Sequence, residues 1–349
     1  MATGRKARTG RIAAAGIAVA GAVGLGLLAV PGGAGAAPEL PPVTPEDLVG
    51  SVLAADPGPF NGTVELDNAL GLPALPGAPQ AANGTSSARL WSDGDGRGRV
   101  QLPTSTGERT LVSDGQTFWA WNSEDRTVTK APEDRRAEGG HDAASADPTA
   151  AATEALAALR PTSQISVDGT AEVAGRPAYE LVLAPAASER TLLREVRLAV
   201  DSEHRVPLQL TVLANGSSDP VLQLGFTDVT FGPQDAGLFT FTPPPGATVE
   251  DAQRPDGRPE GAQQQHEGAA PTIVGEGWDT VVVASKPAGN EANAPEGAPD
   301  LSSLGTPISG PWGSGRLITT AVASAIVTDD GRVAAGAVPE QVLTEALSK

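Results

Sequence analysis

A chain of 349 residues with a formal net charge of −18 lacks the cationic surface needed to grip a nucleic-acid backbone or an anionic membrane. It has no cysteine, which excludes disulfides and a lipid-bearing N-terminal cysteine, so its stability rests on burial alone. Arginine outnumbers lysine 20 to 4 and Ala, Gly and Pro are abundant, a composition in keeping with a high-GC bacterium.

The chain opens on an export signal. Arg5, Lys6, Arg8 and Arg11 form a basic head, Ile12 to Val30 is apolar and uncharged, and Ala34-Gly35-Ala36 offers a cleavage site before Ala37-Pro38. Residues 1–36 read as a signal peptide. The alternative is an anchor left uncut, because the 19 residues from 12 to 30 are long enough to span a bilayer. Both readings place the protein outside the cytoplasm, in the cell envelope.

Val43-Thr44-Pro45-Glu46-Asp47-Leu48 is a helix start: Thr44 caps, Pro45 suits the first helical position and Asp47 is the returning acid. Leu48, Val49, Val52 and Leu53 form its apolar stripe. Strands follow, with Phe60, Val64 and Leu66 sharing a parity. Residues 69–88 are rich in Gly, Pro and Ala and read as an insertion. Asp93-Gly94-Asp95-Gly96 and Asp114-Gly115 mark two hairpins. The first begins like a calcium loop, but Arg97 stands where a third oxygen ligand belongs, so a plain turn is the better reading. On the strand after the second, Phe118 lies on one face and Trp119 and Trp121 on the other, as core packing or as a ligand site.

Residues 132–147 read as a polar loop, and Asp147-Pro148 is expected to start an alanine-rich helix over 148–159 that carries Leu156 and Leu159. Four alternating strands come next: Tyr179, Leu181 and Leu183; Val196, Leu198 and Val200; Leu208, Leu210 and Val212; Leu222, Leu224 and Phe226. Such regular period-two patterning predicts an antiparallel sheet with one wet face. A last strand is expected over Leu238–Thr242, stopped by Pro243, Pro244 and Pro245. Residues 248–272 read as a linker, and 273–349 as a small α+β unit with strands at 280–283, 317–327 and 333–338 and a helix after Pro339.

Motifs for chemistry are missing. His141, His204 and His266 match no metal spacing, and there is no nucleophile elbow, phosphate loop or dinucleotide fingerprint. The 42 acidic residues leave room for a two-carboxylate glycosidase, but nothing points to one. The expectation is a protein without catalysis, metal or cofactor.

Thr44-Pro45-Glu46-Asp47-Leu48, Asp114-Gly115 ahead of Phe118-Trp119-Ala120-Trp121, Gly175-Arg176-Pro177-Ala178-Tyr179-Glu180-Leu181, and Phe239-Thr240-Phe241-Thr242-Pro243-Pro244-Pro245-Gly246 follow one another in an order that resembles the LolA-like superfamily, and more narrowly its exported actinobacterial members. The resemblance covers about residues 40–247. That family includes lipoprotein carriers and RseB-type envelope sensors. The resemblance implies an α+β, mainly antiparallel fold: a strongly curved sheet or open half-barrel at 37–247, covered by helices over a hydrophobic cavity. It implies binding of lipid or lipoprotein acyl chains, as a carrier or chaperone.

Candidate lining residues are Val64, Leu66, Leu181, Leu183, Leu198, Leu210, Leu224 and Phe226, with the aromatics Phe118, Trp119, Trp121 and Phe239. Leu48, Val52, Leu156 and Leu159 are the candidate lid residues. The C-terminal unit, which simple carriers lack, keeps a second reading open: an envelope sensor that binds a membrane-protein partner through that unit.

Overall fold

The computed structural model describes residues 39–71, 83–133, 148–252, 271–285 and 305–349. The expected signal segment, most of the polar loop before Pro148 and two of the three histidines, His141 and His266, lie outside them. Helix α1 (Pro45–Leu53) begins as its sequence dictates: Thr44 is extended at φ −79° and ψ 156°, and its hydroxyl accepts from the Asp47 N–H at 3.1 Å. The same hydroxyl donates to the Asp47 carboxylate at 2.7 Å.

Six strands follow: β1 (Phe60–Asn68), β2 (Gly84–Ser92), β3 (Gly98–Pro103), β4 (Glu108–Ser113), β5 (Thr117–Asn122) and β6 (Thr127–Pro132). Helix α2 (Pro148–Leu159) separates them from β7 (Ser163–Val173), β8 (Arg176–Pro185), β9 (Leu193–Asp201), β10 (Pro207–Ala214) and β11 (Pro220–Phe231). With β12 (Thr248–Asp251) they make one sheet in the order β12-β6-β5-β4-β3-β2-β1-β11-β10-β9-β8-β7. Every pairing is antiparallel except β12 with β6. The sheet is open, with β12 and β7 as its edges. Yet β7 also meets β11, four places along, so this half of the sheet curls strongly.

Two expectations fail around the Pro-rich stretch. Leu238–Thr242 is not a strand: Ala236–Phe239 is a short 3-10 turn, started by the Asp235 carboxylate accepting from the Gly237 N–H at 2.7 Å. Alternation over five residues arose there from two rings that pack below the chain, with no ladder partner beside it. Conversely, Thr248–Asp251, read as linker, pairs residue by residue with Thr127–Lys130.

A second sheet takes the order β13-β14-β18-β17-β16-β15. Its strands are β13 (Thr272–Val274), β14 (Val281–Ser285), β15 (Thr306–Gly310), β16 (Gly313–Thr319), β17 (Ser324–Thr328) and β18 (Arg332–Gly336). The stretch 317–327, expected as one strand, is a hairpin. Its turn carries no glycine or proline; instead the Thr320 hydroxyl accepts from the Ala323 N–H at 2.9 Å. Helix α3 (Glu340–Leu347) covers one face and closes a core of Val281, Ile326, Ala334, Val338 and Leu343, all fully buried.

The two sheets touch through named contacts. The Thr191 hydroxyl and Leu192 N–H both donate to the Ala337 carbonyl, at 2.6 and 2.8 Å. Trp278 donates its indole N–H to Ser163 Oγ at 2.7 Å and its backbone N–H to Glu189 at 2.8 Å. Arg190 pairs with Glu345 at 2.7 Å and lies 3.8 Å from Asp279.

Candidate functional site: an apolar row across the sheet

Directly paired residues on neighbouring strands share a face. Leu181 on β8 pairs with Leu198 on β9, Leu198 with Leu210 on β10, Leu210 with Leu224 on β11, and Leu224 with Leu66 on β1. Five leucines therefore stand in line across five strands. At the strand spacing of a sheet the row is roughly 19 Å long. Leu183 pairs with Val196 beside one end, and Val64 with Phe226 beside the other. Gly62 lies next to that ring, where a Cβ would stand 2.8 Å from Phe226 carbons and 2.5 Å from the Asp228 carbonyl. Only glycine lets the two strands carry a phenylalanine at this point.

The register continues the face onto residues that parity alone did not single out. Val64 pairs with Ala88, and Leu90, two residues on, starts the sequence Leu90–Val100–Leu111–Ala120 across β2 to β5. Phe118 shares the side of Ala120 and is 39% exposed at the far end.

Cover is uneven along the row. Leu48 of α1 is fully buried against Tyr179, Leu181 and Val200, with Val52, Leu183 and Leu198 packed beside it. Helix α2 lies against α1: a Cβ on Gly50 would be 3.2 Å from Thr149 Cα, and Arg160 of the α2 end pairs with Glu46. Leu156 is buried, whereas Leu159 is exposed. Leu66, Leu198 and Leu210 stay half-buried, whereas Leu181 and Leu224 are buried.

Three aromatic candidates lie away from the row. Trp119 pairs with Val112, and Trp121 with Thr110 and Val128, all on the opposite side of the sheet. Phe241 packs there, its ring centroid 5.6 Å from that of Trp119, and Arg99, which pairs with Val112, donates to the Leu238 carbonyl at 3.3 Å. Phe239, next in the chain, is buried beneath the Arg97 guanidinium at 5.5 Å. This far face is thus sealed by the turn and the Pro-rich segment. The Trp119 N–H also donates to Asp114 at 3.0 Å. Burial alone would push the Asp114 carboxyl up, but the bonds from Trp119, Thr117 and Gln116 outweigh it and hold it below its usual value.

Among the described residues, two of the clefts enclose about 360 Å³ each, at the small end for ligand sites. One lies between the sheets, walled by Leu159, Leu193, Trp278 and Ala337. The other is beside Arg99, Gln101 and Leu238. Neither is lined by the leucine row. Among the described residues no three of His, Asp and Glu cluster to hold a metal. Asp93, the first residue of the calcium-like turn, spends its oxygens on Arg97 and on the N–H groups of Asp95 and Arg97.

No protein-family model matches the sequence, and no curated protein matches it significantly. Solved structures do. The MucA/MucB complex of Pseudomonas aeruginosa is 17% identical, with a TM-score of 0.43 over 87% of this chain and 96% of that one. A LolA superfamily protein from Nitrosomonas europaea is 13% identical, with a TM-score of 0.25 over 57% and 99%. An uncharacterized conserved protein from Thermus thermophilus is 14% identical, with a TM-score of 0.34 over 59% and 95%.

Proposed function

We propose that this is an exported, non-catalytic protein that binds the acyl chains of lipids or lipoproteins along the leucine row, acting as a carrier in the cell envelope. The row itself carries the reading. A membrane leaflet's hydrocarbon is about 15 Å deep, so a chain drawn from it fits the row's length. Removing a 16-carbon chain from the bilayer costs about 13 kcal/mol at 0.8 kcal/mol per methylene, and a carrier must return most of this in apolar contact. Leu48 and Val52 already fill the Leu181–Leu198 end, so a chain lying there displaces α1, with α2 moving as its neighbour. Leu66, Leu198 and Leu210 are the leucines of the row left half-buried.

Native mass spectrometry of the protein purified gently from its host envelope tests this, together with titration of a fluorescent fatty acid. A retained lipid mass and saturable uptake are expected. A clean protein mass with no saturable uptake would leave the row as ordinary core and overturn the proposal.

A second reading has its own support in the second sheet. Ile273, on the edge strand β13, is 70% exposed and faces its pair Val282, which is 43% exposed. An apolar pair on an open edge suits a protein partner, here a membrane protein. Ile273→Asp in the full chain is expected to abolish co-purification with such a partner and leave acyl uptake intact.

A further inference from the structure

The turn from β9 to β10 runs Asp201-Ser202-Glu203-His204-Arg205, and most of its charge is engaged. Arg176 holds Asp201 through two nitrogens, at 2.5 and 3.2 Å, and reaches Glu203 at 3.1 Å. His204 stacks on Phe231 with ring centroids 3.6 Å apart. Arg205 differs: its Nη1 is buried and, among the described residues, has no hydrogen-bond acceptor. This is a chain in which 42 acids face 24 Lys and Arg, so carboxylates are not scarce.

Arg205 also has φ +58°, a left-handed conformation that glycine or asparagine adopts at less cost. A strained backbone and an unsatisfied buried donor therefore fall on one residue, and both costs attach to keeping an arginine there. Its guanidinium carbon lies 5.1 Å from the Tyr179 ring centroid. Tyr179 packs with Leu48, Leu181 and Val200, so a fixed cation stands at the α1 end of the leucine row.

We infer that Arg205 receives the phosphate of an anionic phospholipid whose chain lies on that row, an inference that rests on the acyl-binding reading. The planar fork of guanidinium matches phosphate oxygens, and an enclosed charge-assisted hydrogen bond is stronger than one in water.

The test compares dioleoylphosphatidylglycerol with dioleoylglycerol, which has the same chains and no phosphate, each displacing a neutral fluorescent acyl probe from the full protein. The wild type is expected to favour the phospholipid tenfold or more. Arg205→Gly, whose residue suits the backbone and keeps the melting temperature, is expected to bring the two lipids within twofold while holding dioleoylglycerol unchanged. Equal affinities in the wild type, or a preference that survives Arg205→Gly, would overturn the inference and leave Nη1 to an ordered water. Failure of the probe itself to bind would overturn the acyl reading, and this inference with it. Inorganic phosphate that raises the melting temperature of the wild type alone, with no lipid preference, would replace the lipid head by a free anion.

Discussion

The indole N–H of Trp278 donates to the hydroxyl of Ser163 at 2.7 Å, so a residue beside the second sheet is fastened to the first residue of a strand in the first. Ser163 is buried and Trp278 half-buried. Trp278→Phe keeps a ring in the inter-sheet cleft and deletes the bond. A loss of about 1 kcal/mol is expected in urea unfolding. Trp278→Ala also removes the cleft wall, and its melting profile is expected to split into two transitions as the sheets uncouple.

The two faces of the first sheet give opposite expectations. Leu66→Asn is expected to weaken fluorescent fatty-acid binding at least tenfold with little change in melting temperature, because Leu66 is only half-buried. Trp119→Leu loses its ring contact with Phe241 and its bond to Asp114 on the far side. It is expected to destabilise by about 1–2 kcal/mol and leave binding unchanged. Equal effects of both variants on binding would contradict the register argument.

Gly62→Ala places a Cβ against the Phe226 ring and the Asp228 carbonyl, at a strand pair that cannot spread without breaking its ladder. A loss of about 1–3 kcal/mol is expected from chemical denaturation. Phe226→Leu in the same chain is expected to recover part of it, since the ring supplies one of the two clashes.

Asp201 sets an acid limb of stability. Burial alone would push its carboxyl up, but the Arg176 guanidinium and the N–H groups of His204 and Glu203 prevail and hold it below 3.8. A depressed folded-state value means that the stabilisation is complete above the unfolded value near 3.8 and fades as pH falls through the folded one. Asp201→Asn weakens the charge-assisted bonds to Arg176 and is expected to cost about 1.5–3 kcal/mol at neutral pH. Its stability should then fall less steeply than that of the wild type below about pH 4, as read by unfolding at a series of pH values.

Much of this was legible in the residues. Thr44-Pro45 and Pro148 start helices where local chemistry said they would, and the alternation from Tyr179 to Phe226 gave the four strands. What parity could not give was register. Trp119, Trp121 and Phe239 were grouped with the leucines because each is apolar and on a strand-like stretch. Only the pairings of Leu66 with Leu224 and of Trp119 with Val112 show that they belong to opposite sides. Leu238–Thr242 misled because five alternating residues look alike whether a ladder or a packed turn lies beneath them. Arg205 gave no signal at all: a left-handed residue is anticipated where glycine or asparagine stands, and here neither does.

The strand order has a consequence for how the molecule comes into being. β1 to β6 form one unbroken meander and β7 to β11 another, and the pairing of β1 with β11 is the seam between them. Each meander pairs strands that are neighbours in the sequence, but the seam must wait for nearly the whole first sheet to be synthesised. Until then Phe60–Asn68 presents an unpaired edge with Val64 and Leu66 uncovered, the most aggregation-prone moment in the life of the chain. A nascent-chain chaperone would protect this interval most, and truncation just before Pro220 should yield inclusion bodies where truncation just after Phe231 does not.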